Sequence, residues 1–219
     1  MGICAKRIIL IKLLCAALPA DACETALLLA MDVSNSVDES EYRLQIDSLA
    51  EALDDPEVVD IIVDGRSASA LVQWSGVGRQ ELSLGWTRLE SRAEVADFAR
   101  LVRDTPRAFR LSDTAPGDAL NFSVAQFATV PDCERHVIDV SGDGTPNAGA
   151  DTRPARTEAQ RQGITINGLA IESMGIAITG FYERAIITTD GFVITAPGHR
   201  DYARAIRVKL IRELSRIIG

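Results

Sequence analysis

The stretch "LLLAMDVSNSVDES", residues 27–40, decides the fold. An apolar run leads into it, and Asp32, Ser34 and Ser36 then place oxygen-bearing side chains at every second position. In an extended segment alternate residues point the same way, so these three can converge on one point. The run "ALLLAMD" (26–32) is continuously apolar, as a strand buried on both faces requires. "VDESEYRLQIDSLAEALDD" (37–55) then changes period, with Tyr42, Ile46, Leu49 and Leu53 on one helical stripe. Ser36 or Asp38 can cap that helix, so a turn and cap is the plainer use of the same residues.

The alternation continues outward. "SASALVQWS" (67–75) reads as a strand, and "QELSLGWTRL" (80–89) as another, the short gap between them suggesting an antiparallel hairpin. "SRAEVADFARLVRD" (91–104) is an amphipathic helix with Val95, Phe98 and Val102 aligned and Ser91 as N-cap. A helix over 117–129, the strand "HVIDVSGDG" (136–144), a helix over 153–163 closed by Gly163 and the strand "ITINGLAI" (164–171) come next. A short helix near 178–188 leads to a last strand, 191–196. The closing helix spans 201–218, with Ile206, Leu210, Leu214 and Ile217 on one side. Strands alternating with helices predict an α/β fold: a doubly wound, mostly parallel sheet with one antiparallel edge strand, flanked by helices. Ligands of such sheets bind beyond the carboxyl ends of the strands. That places the chemistry in the loops after Asp32, around Thr114 and after Ser141.

The 219 residues are enough for one well-buried α/β domain, and a net charge of −8 argues against a nucleic-acid binder. Lys6 and Arg7, the apolar stretch Ile8–Leu18 and the small residues Ala20 and Ala22 have the pattern of a signal peptide over 1–22. The mature domain, 23–219, then carries no membrane-spanning stretch and is periplasmic or secreted. Cleavage leaves two cysteines, Cys23 and Cys133; an even pair in an oxidising compartment predicts a disulfide, with two buried thiols as the alternative.

Thr114, in "LSDTAPGDAL", and Asp143, in "SGDG", can join Asp32, Ser34 and Ser36. The set is all oxygen, which suits a hard divalent cation: Mg²⁺ first, with Mn²⁺ or Ca²⁺ as alternatives. Asp139 and Asn167, polar residues inside strands, read as structural anchors needing buried partners. His136 and His199 have no spaced Cys or His partner for zinc. Trp74 and Trp86 read as packing residues.

Asp32-x-Ser34-x-Ser36, a later loop threonine and an Asp-Gly after an apolar strand resemble the metal-ion-dependent adhesion site of von Willebrand factor A domains. Over "MDVSNSVDESEY", "VQWSG", "HVIDVSGDGTPNAG", "GITINGLAI" and "DYARAIRVKL" the chain more closely resembles a family of secreted bacterial proteins of unknown function carrying such a domain. The resemblance implies a Rossmann-like fold in which Ser34 and Ser36 coordinate the ion directly. Asp32 and Asp143 act directly or through water, and Thr114 coordinates in the ligand-engaged form. It also implies a protein partner whose acidic group completes the coordination. The sequence departs from the pattern at Asn35 and Asp113, where glycine is common.

The chain has no Gly-x-Ser-x-Gly elbow, no phosphate-cradling Gly-x-x-x-x-Gly-Lys and no evident general base. The expectation is therefore a binding module without catalytic activity. A metal-assisted hydrolase of phosphate or ester substrates and a scaffold with a vestigial metal site are the alternatives.

Overall fold

A computed structural model describes residues 22–172 and 177–215. The expected signal peptide and the last turn of the closing helix, with Ile217, fall outside the described residues, save Ala22. Among the described residues no helix is long and apolar enough to cross a membrane.

Among the described residues six strands form one sheet: β1 (Cys23–Asp32), β2 (Ala68–Trp74), β3 (Gln80–Arg88), β4 (Cys133–Gly142), β5 (Ile164–Ile171) and β6 (Val193–Ala196). They lie in the order β3-β2-β1-β4-β5-β6. All neighbours are parallel except β2 and β3, so the antiparallel edge strand expected from the short gap is present. β1 sits at the centre of the sheet and is buried on both faces, which is why it reads as an unbroken apolar run. Its alternate residues serve two cores. Leu27, Leu29 and Met31 pack with α1 (Glu39–Leu53), α2 (Pro56–Asp64), α3 (Arg92–Asp104) and α7 (Tyr202–Leu214). Ala26, Leu28 and Ala30 pack on the other side with α4 (Pro116–Gln126), α5 (Thr152–Arg161) and α6 (Ile178–Phe181). The chain is thus a three-layer sandwich of the von Willebrand factor A-like, Rossmann-like kind.

Local signals mostly act as their chemistry suggests. Asp38, not Ser36, caps α1: its carboxylate accepts from Glu41 N–H at 2.8 Å while Glu41 Oε2 accepts from Asp38 N–H at 2.8 Å. Ser91 caps α3, and Gly163, at φ 70°, ends α5 in the left-handed region that a Cβ disfavours. The helix expected over 37–55 is shorter than drawn. A second helix, α2, follows it, capped by Asp55 with Pro56 in its first turn and with Val58, Val59 and Ile62 buried. Trp74 is buried, and Trp86 stacks edge-on against Phe127 at 5.1 Å.

Cys23 and Cys133 stand opposite each other at the start of β1 and β4 and form a disulfide. Deeper in the sheet, Asp139 on β4 and Asn167 on β5 find their partners on α7. Lys209, wholly buried, places its ammonium 2.7 Å from Asp139 Oδ1 and 2.5 Å from Glu213 Oε1. The Asp139 contact is a charge contact rather than an aligned hydrogen bond. Asn167 Nδ2 donates to Glu213 Oε1 at 3.0 Å. Burial, and then the Asp139 charge, push the Glu213 carboxyl up to about 8, so at neutral pH it is protonated beside a Lys209–Asp139 pair. Both residues therefore anchor a helix.

Candidate metal centre

β1 delivers Asp32 at its last residue, and the turn that follows is held from two sides. Asn35 N–H donates to Ser112 O at 2.9 Å, and Arg107 Nη2 donates to the carbonyls of Val33 and Ser34, each at 2.9 Å. Ser34 and Ser36 are thereby aimed across the end of the sheet. Thr114 arrives from the loop between α3 and α4. Asn147 clamps its backbone, accepting from Thr114 N–H at 2.8 Å and donating to Thr114 O at 3.1 Å. Asp113, at the position where glycine was noted as common, is exposed and offers its carbonyl to Ser75 Oγ at 3.0 Å. Asp143 follows β4 directly.

The five residues picked out from sequence meet. Thr114 Oγ1 donates to Ser34 Oγ at 3.1 Å, Ser34 and Ser36 hydroxyls lie 3.1 Å apart, and Ser36 Oγ donates to Asp143 Oδ1 at 2.6 Å. Read in one direction, each hydroxyl spends its single proton on the next group and keeps lone pairs available. Asp32 Oδ1 accepts from Ser34 N–H at 2.8 Å, while Asp32 Oδ2 is buried without a hydrogen-bond partner among the described residues. Burial, and next the Asp143 charge, push the Asp32 carboxyl up to about 7. Gly142 is required at this point, because a Cβ there would stand 2.9 Å from Asp32 Oδ2 and 2.7 Å from the Tyr182 hydroxyl. Tyr182, wholly buried, has its own pKa raised well above the usual range, by burial first and then by Asp32 and Asp143.

Two carboxylates, three hydroxyls and a buried acceptor without a donor form a donor set that fits a hard cation. Among the described residues no three His, Cys, Asp or Glu side chains converge as a metal-binding group, so any ion here must draw on the hydroxyls. Arg107, Asn147, Tyr182 and His199 were not recognised from sequence as parts of this centre. Asn147 lay in plain view beside "SGDGTP", but an asparagine in a turn is too common to stand out. His199 is 8% exposed, with Nε2 3.3 Å from Asp143 Oδ2 and 3.5 Å from Glu41 Oε1. Burial alone would lower its pKa; the hydrogen bond to Asp143 and the Glu41 charge outweigh that and raise it.

Residues 22–218 match the model of a family described as protein of unknown function (DUF1194). The chain belongs to this family. No curated protein matches it. Among solved structures, proximal thread matrix protein 1 of the mussel byssus aligns over 86% of the chain and 47% of its own length, with 18% identity and a TM-score of 0.64. The form of that protein with a zinc-occupied MIDAS motif aligns with 19% identity and a TM-score of 0.65, over 86% of this chain and 48% of that one. A von Willebrand factor type A domain from Catenulispora acidiphila shares 16% identity over 87% of this chain and 43% of that one, TM-score 0.62. The pilus adhesin SpaC of Lactobacillus rhamnosus GG shares 10% over 89% and 31%, TM-score 0.63. At these identities the likeness is one of fold, and the chain spans less than half the length of each of these relatives.

Proposed function

We propose that this family member is a divalent-cation-dependent protein-binding module, exported by residues 1–22 and active outside the cytoplasm as the domain 23–219. Asp32, Ser34, Ser36, Thr114 and Asp143 hold the ion, Mg²⁺ by preference or Mn²⁺ or Ca²⁺, and an acidic group of a protein partner completes its coordination. One observation carries the reading: among the described residues Asp32 Oδ2 is buried and without a donor, beside a chain of hydroxyls and a second buried carboxylate. Leaving a buried charged acceptor unsatisfied is costly, and a cation removes the cost. The disulfide is consistent with an oxidising compartment. The zinc-occupied motif of the byssus protein and the adhesin among the structural neighbours lend support by analogy of fold.

In this mechanism the bound ion supplies a positive centre on an acidic protein, where a partner carboxylate docks. The chain's own residues do the rest. Ser34 and Ser36 present lone pairs while their protons stay within the relay towards Asp143. Thr114, held at its backbone by Asn147, presents a third hydroxyl. The two carboxylates balance the charge, and Arg107 keeps the turn from relaxing. No residue of the centre is placed as a nucleophile or general base, so we read the module as non-catalytic.

The test is calorimetric titration of metal-stripped protein with Mg²⁺, Mn²⁺ and Ca²⁺, alongside Asp143→Ala and Ser34→Ala. Binding by the wild type that both variants lose supports the centre. Binding that survives in both places the ion elsewhere and ends this reading.

A further inference from the structure

His199 belongs to the turn that opens α7, not to any of the three loops that supply the candidate ligands. It nevertheless reaches the centre. Its Nε2 lies 3.3 Å from Asp143 Oδ2, and its Nδ1 lies 3.5 Å from Nε2 of Gln45, a wholly buried residue of α1. The amide N–H of Gln45 can donate only to a bare Nδ1. With its proton on Nε2 the imidazole donates to Asp143 and leaves Nδ1 to accept from Gln45, so one tautomer serves both contacts.

Asp143 is thus gripped at both oxygens: at Oδ1 by the Ser36 hydroxyl, 2.6 Å away, and at Oδ2 by the His199 imidazole. A carboxylate held at one oxygen still turns about its Cβ–Cγ bond; held at both, its plane is fixed. We propose that His199 is a positioning residue of the cation site, fixing the Asp143 carboxylate in the orientation that serves the ion. The inference rests on the metal reading above. It assigns a role to a histidine that lacks any sequence-spaced partner. Groups that orient a metal ligand through its second polar atom are worth about 10–100-fold in metal affinity.

The competing view is that His199 merely fills space between α1 and the start of α7. Two substitutions separate the views. His199→Phe keeps a flat ring of similar volume and deletes the donor; His199→Gln changes the shape and keeps a terminal N–H. Metal-stripped wild type and variants are titrated with Mn²⁺ alone, following the free-ion signal by electron paramagnetic resonance, with metal-free urea unfolding as a check on folding. Positioning predicts that Phe loses about 10–100-fold in Mn²⁺ affinity while Gln stays near wild type. If Phe binds as wild type does, or if folded Gln loses as much as Phe, the positioning role is wrong and the metal reading stands. If the wild type itself takes up no Mn²⁺, the metal reading falls and takes this one with it.

Discussion

Asp32→Asn should make the protein more stable without metal and deaf to metal. Asp32 is fully buried, its Oδ2 has no donor among the described residues, and the charge that affects it most is that of a second carboxylate, Asp143. At pH 8 the side chain, with its pKa near 7, is mostly ionised. An unsatisfied buried polar atom costs about 1–3 kcal/mol, and more when charged. The near-isosteric amide removes the charge and its repulsion with Asp143 but leaves a neutral polar atom at the same place, so urea unfolding in EDTA at pH 8 should show Asn more stable by about 1 kcal/mol, the excess that a charged unsatisfied group costs over a neutral one. Saturating Mn²⁺ should then reverse the order. A ligand at a hundred times its dissociation constant stabilises the native state by about 2.7 kcal/mol, and only the wild type should gain it. An Asn variant less stable than wild type in EDTA would show that Asp32 is satisfied without an ion. Equal gains from Mn²⁺ would remove Asp32 from the donor set.

Two further outcomes concern the scaffold. Glu213 is held protonated in the fold up to about pH 8, against an ordinary value of 4.5. The native state therefore binds the extra proton, and stability falls as pH rises between those values, by an amount on the order of 5 kcal/mol if the whole shift is realised. Glu213→Gln should flatten that fall in pH-dependent urea unfolding; an unchanged slope would mean the proton sits elsewhere. Reducing Cys23–Cys133, which closes a loop spanning 110 residues, should cost roughly 4–5 kcal/mol on the chain-entropy account, read as a lower urea midpoint with dithiothreitol.

The sheet and its order of elements were legible because β1 carries an unbroken apolar run from Ala26 to Met31, and β4 and β5 are mostly apolar despite polar positions such as Asp139 and Asn167. α2 was not, because "DPEVVDIIVDG" follows α1 after Asp54 alone, and its start, Asp55 and Pro56, is easily taken for the end of the helix before it. The five candidate ligands could be read from spacing and from resemblance, since strand ends and alternate positions constrain where side chains point. Their supports could not. Arg107, Asn147 and His199 act through contacts between loops far apart in sequence, and nothing local marks an arginine that holds two carbonyls or a histidine that faces a carboxylate. Asp139 and Asn167 lie between these cases: burial announced that they need partners, but only the fold supplied Lys209 and Glu213.

Asp139 and Asp143 make the clearest contrast. They share a strand and its exit, and both are almost wholly buried. Asp139 faces the Lys209 ammonium at 2.7 Å, so its charge is matched within the fold, although neither of its oxygens has an aligned hydrogen bond among the described residues. Asp143 meets a hydroxyl and an imidazole, and its charge contributes to raising the pKa of Asp32. One aspartate thus fastens α7 to the sheet, while the other, with Asp32, leaves negative charge at the carboxyl end of the strands. Swapping the roles tests the distinction. Asp139→Asn should leave Mn²⁺ affinity within about threefold of wild type while costing less than the roughly 3–5 kcal/mol of an unpaired buried charge, because Glu213, 2.5 Å from Lys209 and relieved of the Asp139 charge, can ionise in its place. Asp143→Asn should abolish Mn²⁺ binding and leave metal-free stability near that of the wild type. Loss of Mn²⁺ binding in a folded Asp139→Asn protein would mean that the two carboxylates form one electrostatic unit, and that the division of labour along β4 is wrong.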